Sequence, residues 1–145
     1  MKNQLKRKEK IQMENRSEKA VELHHKGYNC SQAVVCAYAD LFGLDEKTAF
    51  IVSESFGAGM GGMQSTCGAV SGMLILNGAK NSGGELLEKP TKAATYKVAK
   101  ELTAKFEEMN TSSICKVIKG LTGGQVLRTC DGCIEDACRI IADYF

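Results

Sequence analysis

The apolar positions of this chain recur at three- and four-residue spacing, and nowhere do they alternate over the length of a strand. From Arg16 onward, Ala20, Val21, Leu23 and His24 fall on one side of a short helix that stops at Gly27, a residue favoured just past a helix end. Asn29 starts a second helix with Ala33, Val34, Ala37, Tyr38 and Leu41 on its apolar side, closed by Gly43. Asp45 starts a third, which contains Ala49, Phe50, Val52 and Phe56. A glycine-rich stretch from Gly57 to Thr66 leads into Cys67-Gly68-Ala69-Val70-Ser71-Gly72 and the apolar run Met73 to Leu76. After the polar loop Asn77 to Lys89, Pro90 suits the start of a long amphipathic helix that buries Ala94, Val98, Leu102 and Phe106 and stops near Asn110. A short helix holds Cys115, Val117, Ile118 and Leu121 and ends at Gly123-Gly124. The final helix carries Ile134, Ala137, Ile140, Ile141 and Tyr144. The pattern predicts an all-α fold, a single compact domain over residues 16–145 with about six or seven helices and a glycine-rich loop before a central helix. Residues 1–15 read as a basic flexible arm or an extension of the first helix.

A chain of 145 residues can bury a real core without disulfide staples. Its formal net charge of +2 is too small to argue for nucleic acid or a membrane surface as partner. The longest apolar run is far too short to span a bilayer. The first twenty residues are polar, with Lys2, Lys6, Arg7, Lys8 and Lys10, and lack the apolar core of a secretory signal. These features predict a cytoplasmic protein without membrane insertion.

The seven cysteines change the picture: Cys30, Cys36, Cys67, Cys115, Cys130, Cys133 and Cys138. In a reducing compartment such a set means metal binding or redox chemistry before it means structural disulfides, and an odd total leaves at least one cysteine unpaired. Four share a context. Cys30 follows Asn29, Cys67 follows Ser65 and Thr66, Cys115 follows Thr111, Ser112 and Ser113, and Cys130 follows Thr129. Each precedes a helical stretch, and each has a favoured capping residue just upstream. Free N–H groups and partial positive charge in a first helical turn stabilise thiolate over thiol, so the pattern predicts four low-pKa thiols at one site.

Cys130-Asp131-Gly132-Cys133 is a CxxC at a helix start. Without a βαβ context the thioredoxin reading is weak, and three further helix-start cysteines favour half of a metal site. No second CxxC gives a zinc-ribbon spacing, and no Cys-x-x-Cys-His supports covalent haem. The glycine stretch lacks the Gly-Lys-Ser/Thr of a phosphate loop. Two uses remain for it: close packing at Gly68 and Gly72, or backbone N–H groups offered to an anion or a sulfur-ligated metal. Cys36 and Cys138 read as core residues. His24 and His25 read as helix surface or partly buried, and Met60, Met63 and Met73 as core or loop packing. No paired carboxylates or Ser-His-Asp arrangement argues for hydrolysis, and no catalytic residue is assigned.

Asn29-Cys30-Ser31-Gln32-Ala33-Val34, the glycine stretch, Cys67-Gly68-Ala69-Val70-Ser71-Gly72, then Cys115 and Cys130 with Ile134 and Ala137 together resemble the family of redox-active proteins named for its C…CGAxxG…C…C pattern, C_GCAxxG_C_C. The resemblance runs from about Ala20 to the C-terminus. It implies a small domain with four signature cysteines and an iron–sulfur centre or a redox change. A similar module in the split-Soret cytochromes is associated with an iron–sulfur cluster and with haem, and the haem attachment sequences are missing here. Spacing to Ile134 and Ala137 favours Cys130 as the fourth signature cysteine, with Cys133 as its alternate.

Three functional readings follow. The first is an electron-transfer protein in which Cys30, Cys67, Cys115 and Cys130 ligate a [2Fe–2S] or [4Fe–4S] cluster, with Cys133 as spare ligand and Gly68 and the glycine loop around the sulfurs. Its partner is a redox protein. The second is a thiol–disulfide protein or sensor exchanging at Cys130 and Cys133, with no metal. The third is a helical module with a structural zinc on four cysteines. The alanine- and glycine-rich helices also permit a homodimer.

Overall fold

A computed structural model of the chain describes residues 13–87 and 90–145. The arm read over residues 1–15 therefore lies, for residues 1–12, outside the described residues. Among the described residues, seven α-helices run in chain order: α1 (Ser17–His25), α2 (Cys30–Tyr38), α3 (Glu46–Ser53), α4 (Gly68–Asn81), α5 (Lys92–Asn110), α6 (Cys115–Ile118) and α7 (Cys130–Tyr144). No strand occurs among the described residues, and the helices form one domain.

The helix boundaries follow local chemistry. Asn29 accepts from the Gln32 backbone N–H while the Gln32 side chain accepts from the Asn29 N–H, a reciprocal cap that fixes where α2 begins. Asp45 caps α3 through the Thr48 N–H, and Thr129 caps α7 through the Gly132 N–H. At α4 and α6 the expected side-chain caps are absent: Cys67 and Ile114 occupy the cap positions without one. A non-local pairing replaces them. The Cys67 N–H donates to the Ser113 carbonyl at 2.7 Å, and the Cys115 N–H donates to the Ser65 carbonyl at 2.8 Å. Thr66 and Ile114 thus form a single antiparallel bridge between two helix starts.

Two helices sit at the centre. α2 is uncharged along its whole length and is buried from Ser31 to Tyr38, as an all-round apolar helix must be. α4 lies against it and buries Val70, Met73 and Leu76. α7 presents Ile134, Ala137, Cys138 and Ile141 on one stripe to this pair. α1 packs between α2 and α7, and α5 closes α4 and α7 with Leu102 and Phe106. Tyr38 is fully buried with its hydroxyl satisfied, since it accepts from the Arg16 N–H and reaches the Glu14 carbonyl at 2.6 Å. Cys36 and Cys138 are core residues, as read from sequence.

Some expectations need correction. Leu41 is exposed and Phe42 takes the buried place. The chain tightens from α2 into a 3₁₀ turn over Ala39–Phe42, and three residues per turn rotates the apolar side by one position. Ala94 is exposed because the first turns of α5 lie outside the core, which α5 enters at Val98, Leu102 and Phe106. Pro90 stands just ahead of α5, whose cap is Thr91. α6 is one turn long, so Leu121 falls in the following turn and is exposed. Met73 is core, whereas Met60 and Met63 are exposed.

Gly72 sets the spacing of the central pair. A Cβ there would lie 3.0 Å from the Ser31 carbonyl oxygen and 3.1 Å from Val34 Cβ. Gly72→Val should therefore force α2 and α4 apart and cost about 1–3 kcal/mol, the range for overpacking a closed core. Urea denaturation of the variant against the native chain measures it.

Candidate functional site: a cysteine-lined cavity

The starts of α2, α4, α6 and α7 meet at one end of the bundle around a cavity of about 170 Å³. Five of the seven cysteines line it: Cys30, Cys67, Cys115, Cys130 and Cys133. Cys67, Cys115 and Cys133 are buried, and Cys30 and Cys130 are half-buried. The four helix-start cysteines singled out in the sequence are thus gathered in one place, and Cys133 joins them because α7 carries it one turn beyond Cys130.

Each thiol is placed by a separate device. Cys30 opens α2 directly after the Asn29 cap, and the Asn29 side-chain amide donates to the Glu54 carbonyl at 2.8 Å, tying the helix start to the turn just ahead of the glycine segment. A Cβ on Gly57 would collide with the Asn29 side chain at 2.2 Å. The antiparallel bridge sets Cys67 and Cys115 side by side. Cys130 follows Thr129, and the loop before it is latched by Leu127 donating to the Ile118 carbonyl. Arg128 forks onto the buried Asp136 at 3.0 and 3.2 Å, with Asn110 donating to the same carboxylate. This ion pair, buried on its Asp136 side, fixes the approach to α7.

The glycines stand where side chains would fill the site. A Cβ on Gly68 would be 2.3 Å from Cys30 Sγ, and one on Gly59 would be 2.5 Å from Cys115 Cβ. The close-packing reading of the glycine pattern holds at both residues: Gly72 lets a helix approach, and Gly68 lets the Cys30 sulfur approach. The segment between Ala58 and Met63 is coiled tightly, with Ala58, Met60 and Met63 all in the left-handed region. Such strain in non-glycine residues is sustained only where surrounding structure imposes it. It brings the Ala58 N–H to the Cys30 sulfur.

The electrostatics differ from four uniformly acidic thiols. Burial pushes Cys30 up, against the opposing Ala58 N–H, and burial also pushes Cys115 up. Helix-start N–H groups do not overcome desolvation at these two positions. Cys67 goes the other way, to about 7, because the Cys133 thiol donates to it, with help from the N–H groups of Ala69 and Val70. The same bond raises Cys133 well above an ordinary thiol, since losing its proton would break the bond and set two negative sulfurs together. Lys119 bonds the Cys130 sulfur, which raises the ammonium.

Sequence reasoning missed Lys119, Arg128 and Ala58, which also line the cavity. Lys119 stands one helical turn after Cys115, the spacing that puts two side chains on one face. Arg128 and Ala58 carried no comparable signal, being placed by loops. His24 also lines the cavity, and its ring meets Asp131 at 2.7 Å. His25 meets the other oxygen of Asp131 at 2.6 Å, and the two rings together hold the Asp131 carboxyl below the usual carboxylate range.

In the metal-free protein, ultraviolet thiolate absorbance should rise with a midpoint at about 7. Cys133→Ala should move that midpoint upward, because the strongest donor to Cys67 is removed while its burial remains. An unmoved midpoint would show that backbone N–H groups alone hold the charge.

The cavity accounts for the order of cysteines along the chain, and comparison with known proteins bears on that order. No curated protein and no solved structure matches the chain. One family does match, described as "Putative redox-active protein (C_GCAxxG_C_C)", over residues 28–144. That span begins just before Cys30 and contains every cavity cysteine and all of α2 to α7. The label writes the glycine before its second cysteine, where this chain has Cys67 followed by Gly68. With the match covering most of its length, the chain belongs to the C_GCAxxG_C_C family.

Proposed function

We propose that the cavity binds an iron–sulfur cluster, [2Fe–2S] or [4Fe–4S], through Cys30, Cys67, Cys115 and Cys130, and that the protein carries electrons to or from a partner protein in a reducing compartment. The observation that carries this reading is the convergence of five thiols, from four helix starts, on one cavity. Thiolate donors are what such clusters require. The lining suits a sulfur-ligated group: Gly68 and Gly59 let the Cys30 and Cys115 side chains lie against the backbone where a Cβ would collide with them. When bound, the cluster supplies exchange of single electrons.

The chain's own residues do the rest. The four thiolates bind. N–H groups of Ala58, Ala69 and Val70 hold negative charge on the Cys30 and Cys67 sulfurs, a contact of the kind that tunes potential. Lys119 balances charge at Cys130. Cys133 stands ready as the alternate to Cys130, and its burial against Cys67 favours Cys130 as the more accessible ligand.

One observation favours a second reading, dithiol exchange. The Cys67 thiolate and Cys133 thiol are already paired, so the exchanging couple would be Cys67–Cys133 rather than Cys130–Cys133. Cys67 would attack a partner disulfide, Cys133 would resolve the mixed disulfide, and the partner would leave as two thiols.

Anaerobic purification followed by absorbance, iron, zinc and sulfide per chain decides among these. A brown protein with iron and sulfide, bleached by dithionite, supports the cluster. Stoichiometric zinc without colour, or no metal with a reversible change in thiol count, overturns it in favour of the structural or dithiol reading. Cys67→Ser should abolish iron and sulfide, while Cys36→Ala and Cys138→Ala should retain both. Gly68→Ala should weaken iron retention by about tenfold to a hundredfold, because its new Cβ displaces Cys30 Sγ.

A further inference from the structure

The chain has two histidines, and both face one carboxylate. His24 and His25 end α1, and Asp131 is the second residue of α7. His24 Nδ1 lies 2.7 Å from Asp131 Oδ1, and His25 Nε2 lies 2.6 Å from Asp131 Oδ2. One ligand atom from each residue falls within 4.8 Å of the other two.

Adjacent residues on a helix point about 100° apart, so their side chains do not normally meet at one point. Here they do, because each ring uses a different nitrogen: Nδ1, close to the backbone, on one ring and Nε2, at the far edge, on the other. We propose that His24, His25 and Asp131 form a mononuclear site for a divalent transition ion of the zinc or ferrous class. Two imidazoles and one carboxylate are a recurrent donor set for these ions, and three protein ligands leave positions open.

The surroundings suit a cation. The site stands at the C-terminal end of α1, where the helix dipole is negative. The Asp131 side chain is 35% exposed and that of His25 63%, so an ion and its waters have a way in. Without an ion, both rings donate an N–H to the carboxylate. An ion takes the place of those two hydrogens at the same nitrogens, each of which then offers it a lone pair. The ring-to-carboxylate contacts of 2.7 and 2.6 Å open slightly as the ion, with ligand distances of about 2.0–2.1 Å, comes between them. His24 also lines the cysteine cavity, so the ion would sit at its rim, held by nitrogen and oxygen where the cavity offers sulfur. The inference rests on these three residues alone and is independent of what the cysteines bind.

The test adds zinc to the protein as purified anaerobically and follows the two imidazoles in long-range proton–nitrogen spectra. Both histidines should shift at His24 Nδ1 and His25 Nε2. Asp131→Asn, which keeps shape, and His25→Ala, which removes an exposed ring, should each lose these changes while circular dichroism stays native. Imidazoles that do not move while zinc binds elsewhere would overturn the site. So would shifts that persist in both variants. Because the readout is the histidines themselves, a failed cluster and a failed histidine site give different results.

Discussion

The close approach of α2 and α4 is the constraint on which the cavity rests. Gly72 lets the Ser31 backbone and Val34 sit against α4, and the same alignment brings the start of α2 against the start of α4. Cys30 then lies directly over Gly68, with Cys67 one residue earlier. A helical glycine costs about 1 kcal/mol relative to alanine. Here that cost is accepted at two positions a turn apart, one opening space for a backbone and the other for a sulfur. α7 and α6 add their cysteines to an edge this pair has already defined.

Within the cavity two effects compete for each thiol. Helix-start N–H groups favour the thiolate, and burial favours the thiol. Burial wins at Cys30 and Cys115, while a sulfur-to-sulfur hydrogen bond makes Cys67 the exception. A bound metal changes the contest, since coordination replaces the proton outright. The uneven acidities therefore describe crowded sulfurs of which Cys67, reached by the Cys133 thiol, gives up its proton most readily.

The parts of this structure that were legible in the sequence are those set by local chemistry. Asn29, Asp45 and Thr129 cap helices, and Gly27 and Gly43 end them with positive φ, because these roles depend on a few neighbouring atoms. Cys30 and Cys130 could be recognised for the same reason, whereas the residues read as caps ahead of Cys67 and Cys115 do not cap their helices. What could not be read depends on partners far along the chain. The Thr66–Ile114 bridge takes the place of caps at α4 and α6, and no spacing announces it. The pairing of Cys133 with Cys67, the seat of Arg128 on Asp136, and the meeting of His24 and His25 with Asp131 are likewise tertiary. The exchange of Leu41 for Phe42 is a subtler case. The apolar residues were visible, but a one-position change of phase follows from a turn type that the pattern does not encode.

The bridge between the residues flanking Cys67 and Cys115 has a consequence for how the protein comes together. No contiguous segment carries the thiol set, and the two bridged stretches are separated by the whole of α4 and α5. Such a pairing closes a long loop and comes at an entropic cost until both helices are in place. A nascent or half-folded chain therefore owns cysteines but no cavity. A group bound there would recognise only the finished fold and would draw the folding equilibrium toward it by mass action. Occupancy becomes a property of the whole domain, and its loss would be felt in α2 and α7 together rather than in one loop.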